Sequence, residues 1–322
     1  MKTKKIGLVG IYFPGAYDAL HENVPEGFEL VDALSPEAYG NLADCEYLIS
    51  RLDIDPDIIN HTPNVKFWQR WGAGFDHVDL KAWGERGIPI ATCPGVNSGI
   101  VAELAIMLML AGYRNLLQIN RQLRAGHWPR TEYFGRSFMI KGKTVGVLGL
   151  GHIGKKVAAL ASAFGANVIY YDIVRQPEQE EQFGYRFVDF DTLLAESDVL
   201  SLHMNLTEEN YHMFNKEAFM KCKKHPIIVN EGRGPLICDE DLVWALDNGY
   251  IRGAALDMVE SEDPDLSTCP LVGRDDVLLT PHSGYYSDTS NYLVAKLSMD
   301  NALYYVNGEY DKVKSIRNGV NA

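Results

Sequence analysis

Cysteine is scarce and scattered, with five in 322 residues (Cys45, Cys93, Cys222, Cys238 and Cys269) and no CxxC pair. That spacing offers neither a disulfide framework nor a zinc motif, so free thiols in a reducing compartment and no metal centre are expected. Long apolar runs are missing too. The most hydrophobic helical stretch, residues 100–112, carries Glu103 and falls short of the about 20 residues that a bilayer-spanning helix requires. The N-terminal MKTKKIGLVG lacks the apolar core of a signal peptide. A cytoplasmic protein with no membrane partner is therefore expected. Positive charge is deficient as well: 30 Lys and Arg against 43 Asp and Glu leave a net charge of −13, which provides no basic field for a nucleic-acid partner. No repeat of fixed period and no low-complexity tract occurs. What is present, 46% hydrophobic residues over a length of about two ordinary domains, suffices for two cores.

One stretch organises the remainder. Residues 144–172 read TVGVLGLGHIGKKVAALASAFGANVIYYD. A short aliphatic strand enters Gly149-Leu150-Gly151-His152-Ile153-Gly154, and apolar residues then recur at helical spacing through Val157, Leu160, Ala161 and Phe164. In such a GxGxxG turn Gly149 permits the bend, Gly151 lets a pyrophosphate approach the backbone, and Gly154 lets helix pack on strand. The free N–H groups of the helix start face the phosphate. A second strand ends at Asp172, about 20 residues beyond the glycines, where a carboxylate accepts hydrogen bonds from a ribose diol. This favours NAD (NADH) over NADP, whose 2′-phosphate a carboxylate repels. Arg175, three residues on, is suited to that phosphate and leaves the preference open to NADP.

Before this stretch, short apolar segments at 6–9, 28–31, 47–50, 65–67 and 88–91 alternate with polar or helix-like ones, as in a parallel sheet covered by helices. Gly7 and Gly10 mimic a nucleotide turn, but no third glycine or helix follows in place. The turn containing Gly72, Ala73 and Gly74 has backbone N–H groups suited to an anion, or is an ordinary turn. An amphipathic helix is expected from about residue 100, at a domain crossing. After Asp172, residues 175–182 read as a charged loop. Strands are expected near 187–188, 199–204, 227–230, 254–258 and 277–280, giving seven from Val145 in a doubly wound sheet. A last helix spans about 288–306.

Three of these strands end in polar groups: NEGRG with Arg233, DMVESE with Asp257 and Glu262, and TPHSG with His282. Ligands of open α/β sheets bind beyond the carboxyl ends of the strands. Singly, each residue also reads as a loop ion pair, a solvated acid or a satisfied histidine. Together beside NAD they suit reduction of a 2-oxo acid. Arginine grips the substrate carboxylate with its planar fork, histidine donates a proton to the nascent alkoxide, and a carboxylate bonded to the histidine raises its pKa.

These motifs, with SLHMNLTEEN at 201–210 and GAALDMVESEDP at 253–264, resemble the D-isomer-specific 2-hydroxyacid dehydrogenases, and the likeness runs over most of the chain. The resemblance implies an α/β architecture of two Rossmann-like doubly wound domains. An NAD-binding domain at 100–287 is inserted into a discontinuous, flavodoxin-like substrate-binding and catalytic domain at 1–99 and 288–322, and closure of the two excludes water. It implies Arg233, Glu262 and His282 as catalytic residues, His282 being the acid/base. It implies coenzyme contacts from Gly149, Gly151, His152, Ile153, Gly154, Asp172, Met204, Asn205, Asn210, Glu231, Gly232, Arg233 and Asp257. It also implies substrate contacts from Ala73, Gly74, Arg233 and Tyr285, and a homodimer.

The sequence departs from the family pattern at Asn205, where proline is common, and at Glu231, where a small or hydroxylated residue is usual. Tyr285 and Tyr286 resemble the D-lactate dehydrogenase branch, whereas Val96 stands where that branch often carries tyrosine. The expected activity is thus interconversion of a 2-oxo acid and its D-2-hydroxy acid, with D-lactate or a larger apolar or aromatic acid as substrate and Tyr12, Phe13 or Tyr285 as pocket lining. The alternatives are a glyoxylate or hydroxypyruvate reductase and, in a different class, an NAD-sensing corepressor-like binding protein.

Overall fold

The computed structural model describes residues 3–13, 15–51, 54–75 and 78–320. Contacts divide the chain into two compact units, residues 1–97 with 287–322, and residues 98–286.

In the first unit β1 (Lys4–Gly10), α1 (Ala16–Glu22), β2 (Phe28–Ala33), β3 (Tyr47–Arg51), β4 (Phe67–Arg70), α2 (Leu80–Glu85) and β5 (Ile90–Ala91) follow one another. The strands are all parallel in the order β2-β1-β3-β4-β5, the flavodoxin-like arrangement. The decoy glycines of β1 have packing roles. A Cβ on Gly7 would lie 2.4 Å from the Leu42 side chain, and Gly10, at φ +85°, lies against the Arg51 carbonyl.

The second unit opens with α3 (Ser98–Tyr113) and α4 (Leu116–Arg124). It continues through β6 (Thr144–Leu148), α5 (His152–Ala163), β7 (Asn167–Tyr171), α6 (Pro177–Phe183), β8 (Arg186–Phe187), α7 (Phe190–Glu196), β9 (Val199–Leu202), α8 (Lys216–Met220), β10 (Ile227–Asn230), α9 (Asp239–Asp247), β11 (Gly253–Leu256) and β12 (Val277–Leu279). The seven strands are parallel in the order β12-β11-β10-β9-β6-β7-β8. The chain reverses direction across the sheet at β6, the topological switch point. Residues of β9, β10 and β11 are buried throughout, as in a sheet covered on both faces. Alternation sorts them: Val145, Val147, Ile227 and Val229 pack with α3 and α5, while Leu200, Leu202, Ile228 and Leu256 pack with α7, α8 and α9. Finally α10 (Ser290–Val306) belongs to the first unit, where it packs on α1 and β4.

Three local expectations change. The stretch read as a charged loop contains α6, whose signals are Pro177 at its first turn, Glu178 and Glu180 near its positive end, and Gly184 in a left-handed conformation after it. Helix α3 is apolar nearly all round and buries Val101, Ala105, Leu108 and Met109, because it is a core helix rather than a half-solvated one. Strand β9 ends at Leu202, so His203 and Met204 already belong to the loop beyond it. Among the described residues no single helix is long and apolar enough to cross a membrane. The pair α3 and α4 passes on length and composition but is bent by 63°.

Candidate active site

The glycine turn fits a dinucleotide by shape. Gly149 has φ +89°, and its N–H donates to the Tyr171 carbonyl at 2.8 Å. A Cβ on Gly154 would fall 2.0 Å from the Gly149 carbonyl oxygen, so helix and turn touch backbone to backbone. A Cβ on Gly151 would meet nothing within 4 Å, leaving an open face where α5 begins without a side-chain cap. That face is the cradle that the positive end of a helix offers a phosphate. His152 is exposed and Ile153 half-buried at this edge. Asp172, at the end of β7, accepts from the Leu150 N–H at 2.6 Å and the Val174 N–H at 3.2 Å. Among the described residues the carboxylate meets no further hydrogen-bond donor. Ile173 and Val174 beside it are exposed, an apolar ledge that sequence reasoning passed over. Arg175 is committed elsewhere, gripping Glu180 through Nε and Nη2 at 2.8 Å each.

The loop after β9 braces itself. Asn210 is buried, donates to the Asn205 carbonyl at 2.8 Å and accepts from the Thr207 N–H at 2.7 Å, so it shapes the Met204–Asn205 turn. The turn after β10 is built similarly by Asn230, which accepts from the Gly232 N–H at 3.0 Å and donates to the Arg233 carbonyl at 2.9 Å. Gly232 is required there, since a Cβ would lie 2.8 Å from the Met204 carbonyl oxygen. Arg233 is thus presented at the carboxyl edge of the sheet by a side-chain-clamped turn.

Asp257, 2% exposed at the end of β11, organises the segment that carries His282. Its Oδ1 accepts from Thr280 Oγ1 at 2.5 Å and the Ser283 N–H at 2.8 Å, and its Oδ2 accepts from the Gly284 N–H at 2.8 Å. Its carbonyl accepts from the His282 N–H at 2.8 Å. These bonds hold His282 at φ +50°, a left-handed conformation that a non-glycine residue adopts only when its surroundings insist on it. The Tyr285 ring stands edge-on to the imidazole, centroids 6.1 Å apart.

Electrostatics ties the strand ends together. His282 is exposed as a residue, yet desolvation of its imidazole by the surrounding protein is the largest influence and lowers its pKa. Asp257 raises it, Arg233 lowers it and Glu262 raises it, in decreasing order. Arg233, Glu262 and His282 therefore share one electrostatic neighbourhood. The net direction is opposite to the one expected from the carboxylate alone, because desolvation and the Arg233 charge outweigh Glu262. Glu231 is buried beside the same group, and its carboxyl is pushed up to about 9 by burial and then by Asp257. His203, bonded through Nε2 to Ser201 Oγ at 2.8 Å, is driven down to about 3 by burial.

Other expected residues belong to the first unit. Ala73 and Gly74 belong to the first unit, in the segment after β4, with Ala73 exposed. Tyr12, in the same unit, packs on its core and donates to the Ile49 carbonyl at 2.8 Å, and Phe13 carries the Arg51 guanidinium 3.5 Å from its ring centre. Wide sequence spacing also hid a convergence. One ligand-type atom each of His212, Cys238 and Glu260 lie within 4.8 Å of one another. There His212 Nε2 and Glu260 Oε1 are joined at 2.9 Å, and Asp239 and Glu260 exchange backbone-to-carboxylate contacts of 3.3 Å, a brace between the chain segments that flank Arg233 and Glu262.

A seven-stranded doubly wound sheet, a glycine turn at its switch point and an acidic end on the next strand define a dinucleotide-binding α/β protein. The model of the D-isomer specific 2-hydroxyacid dehydrogenase NAD-binding domain matches residues 106–284. The glyoxylate reductase of Thermofilum pendens is 37% identical over 278 residues, covering 85% of this chain and 82% of that one. The D-3-phosphoglycerate dehydrogenase of Archaeoglobus fulgidus is 40% identical over 233 residues, 72% of this chain but 44% of that longer one. The structure of D-lactate dehydrogenase from Aquifex aeolicus, complexed with NAD and lactic acid, superposes with a TM-score of 0.83 at 25% identity, covering 98% of this chain and 99% of that one. The chain belongs to the D-isomer specific 2-hydroxyacid dehydrogenase family. It is an NAD-dependent oxidoreductase acting on 2-hydroxy and 2-oxo acids.

Proposed function

We propose that His282 is the acid/base of a reversible reduction of a 2-oxo acid to its D-2-hydroxy acid. The observation that carries this reading is the His282 turn itself, held in a left-handed conformation by Asp257 and sharing the fields of Arg233 and Glu262. NADH supplies the hydride when bound. The turn at Gly149, Gly151 and Gly154 with the start of α5 suits the pyrophosphate, and Asp172 suits the adenosine ribose. Met204, Asn205, Asn210, Gly232 and Asp257 shape the floor between them. Arg233 fixes the substrate carboxylate and orients the carbonyl, His282 delivers a proton to the alkoxide oxygen, and Glu262 opposes the lowering of the His282 pKa. In the oxidative direction the neutral imidazole takes the same proton back. The coenzyme domain is assigned to residues 100–287 and the substrate domain to residues 1–99 and 288–322.

The leading substrate class is D-lactate or a larger apolar or aromatic acid, supported by the Tyr285 ring edge-on to His282. Glyoxylate or hydroxypyruvate is the second reading, favoured by relatives that carry the name glyoxylate reductase. Following NADH absorbance with pyruvate, 2-oxoisocaproate, phenylpyruvate, glyoxylate and hydroxypyruvate separates them. A highest kcat/KM with pyruvate or the bulky acids supports the first reading, and one confined to glyoxylate and hydroxypyruvate replaces it with the second.

Coenzyme choice rests on Asp172. With Arg175 held by Glu180, Asp172→Ala is expected to erode the NADH preference by about tenfold, the scale of one lost charged or hydrogen-bonded ribose contact. An unchanged ratio of NADH to NADPH specificity constants would assign the choice to another residue.

We also propose a homodimer formed through the coenzyme domain. Leu116, Leu117, Trp128, Phe134 and Met139 are all more than half exposed along α4 and the segment after it, an apolar surface suited to a second copy. Sedimentation equilibrium is expected to give twice the chain mass of 36.0 kDa, and Trp128→Asp to shift the population toward monomer.

A further inference from the structure

Glu231 is the one residue of the turn after β10 whose side chain does nothing for the turn. Asn230 clamps it, Gly232 admits the neighbouring carbonyl, and the Glu231 N–H reaches the Leu202 carbonyl at 3.3 Å. The Glu231 side chain is buried, the residue being 5% exposed, and both its carboxyl oxygens are shielded from solvent without a hydrogen-bond partner among the described residues. A carboxyl in that position costs folding free energy that an apolar side chain of the same size would not. The resemblance to the family places a small or hydroxylated residue here, so the acid is a feature of this chain rather than a requirement of the fold.

Titratable or charged groups on the elements around it include Asp257, Glu260, Glu262 and Asp263 after β11, His282 after β12, His203, Glu208 and Glu209 after β9, and Arg233 on its own turn. Asp257 is the charge that acts on Glu231, and it acts against ionisation in the same direction as burial. The acid is accordingly protonated near neutral pH, at the edge of the sheet where a coenzyme of variable charge is received. Oxidised NAD carries a cationic nicotinamide ring and reduced NAD a neutral one. On the reading that the nicotinamide lies at this edge of the sheet, a buried acid there responds to the difference, because an adjacent positive charge favours the carboxylate.

We propose that Glu231 couples the redox state of the bound coenzyme to a proton: oxidised NAD binds with release of the Glu231 proton to solvent, and reduced NAD binds with that proton retained. No bond other than the carboxyl O–H is broken, and no electron moves. By linkage, what oxidised NAD does to Glu231, pH does to oxidised NAD: its affinity rises with pH while Glu231 of the free protein is still protonated and levels off above that range. The inference rests on the reading that the coenzyme lies across the carboxyl ends of β9 to β12.

The test counts protons. Calorimetric titration with NAD⁺ and with NADH, in two buffers of different protonation enthalpy at about pH 8, is run on the unsubstituted protein, Glu231→Gln and His282→Gln. The expected result is release of up to about one proton with NAD⁺ in the unsubstituted protein and in His282→Gln, none with NADH, and none with either coenzyme in Glu231→Gln. In parallel, NAD⁺ affinity should tighten by up to about tenfold per pH unit between about pH 7 and 9 and flatten in Glu231→Gln. An equal proton count in Glu231→Gln, or no release from the unsubstituted protein, overturns the proposal. Should Glu231→Gln not fold, the unsubstituted protein decides alone: release must fade above about pH 10, where free Glu231 is already ionised, and persistent release overturns the coupling. Binding of both coenzymes without the proton leaves standing the reading that the coenzyme lies across these strand ends, whereas failure of both to bind removes that reading as well.

Discussion

Replacing His282 by glutamine is expected to lower the rate of 2-oxo acid reduction by about 10²- to 10⁴-fold, the range that general acid catalysis contributes, with NADH affinity nearly unchanged. The separation of the two effects follows from how the turn is built. Thr280, the main-chain N–H groups of Ser283 and Gly284, and the main-chain N–H of His282 hold it to Asp257. None of these bonds uses the imidazole, so glutamine leaves them in place, including at φ +50°. What glutamine lacks is a proton to give. Progress curves at 340 nm and a fluorescence titration with NADH measure the two quantities, and loss of both together would reassign His282 to holding the coenzyme.

The pH dependence carries a sign. Reduction needs imidazolium, whose population falls as pH rises through the His282 pKa, and desolvation places that pKa below its ordinary value of 6.5. The kcat/KM for the 2-oxo acid is therefore expected to decline with rising pH through a limb below about pH 6.5, and oxidation, which needs the neutral ring, to rise through the same limb. In His282→Gln the limb should vanish from both directions.

Much of the molecule was legible in its sequence because the signals were local. The strand, glycine turn, helix and acidic strand end of residues 144–172 are fixed by neighbours within one βαβ unit, and the run from β6 to β12 followed from alternation of apolar segments with helices. The strand ends also stood out, since Arg233, Glu262 and His282 are polar groups that follow apolar strand runs. What escaped depended on distant partners. Asp257 was expected as a coenzyme contact, and its five bonds to the His282 turn join residues more than 20 positions apart. The pKa of His282 was expected to follow its carboxylate neighbour, and it follows desolvation instead, which no local spacing encodes. Helix α6 is obscured by its charge density, because Pro177 and Gly184 are its only punctuation around a run of Glu and Gln with no buried face. The isolation of the Glu231 carboxyl is a property of everything around it.

Arg233→Ala is expected to remove about 3 to 5 kcal/mol of transition-state stabilisation, by comparison with the truncation of other close charged contacts, or about 10²- to 10³·⁵-fold in kcat/KM. The turn should survive the substitution, since its clamp runs through Asn230 and the Arg233 backbone carbonyl. The thermal midpoint therefore separates a chemical effect from a structural one: it should move little. If the guanidinium binds the substrate carboxylate in both ground and transition states, KM for the 2-oxo acid rises. If it also orients the carbonyl for the proton, kcat falls as well, and both changes are expected. Lysine at 233 keeps the charge without the planar fork, so Arg233→Lys should recover only part of the loss. A second signature is independent of substrate binding. The Arg233 charge lowers the His282 pKa, so its removal should move the His282 limb to higher pH, whereas a residue that only supported the loop would leave the limb in place. Wild-type kcat/KM and an unmoved limb in Arg233→Ala would together remove Arg233 from the site.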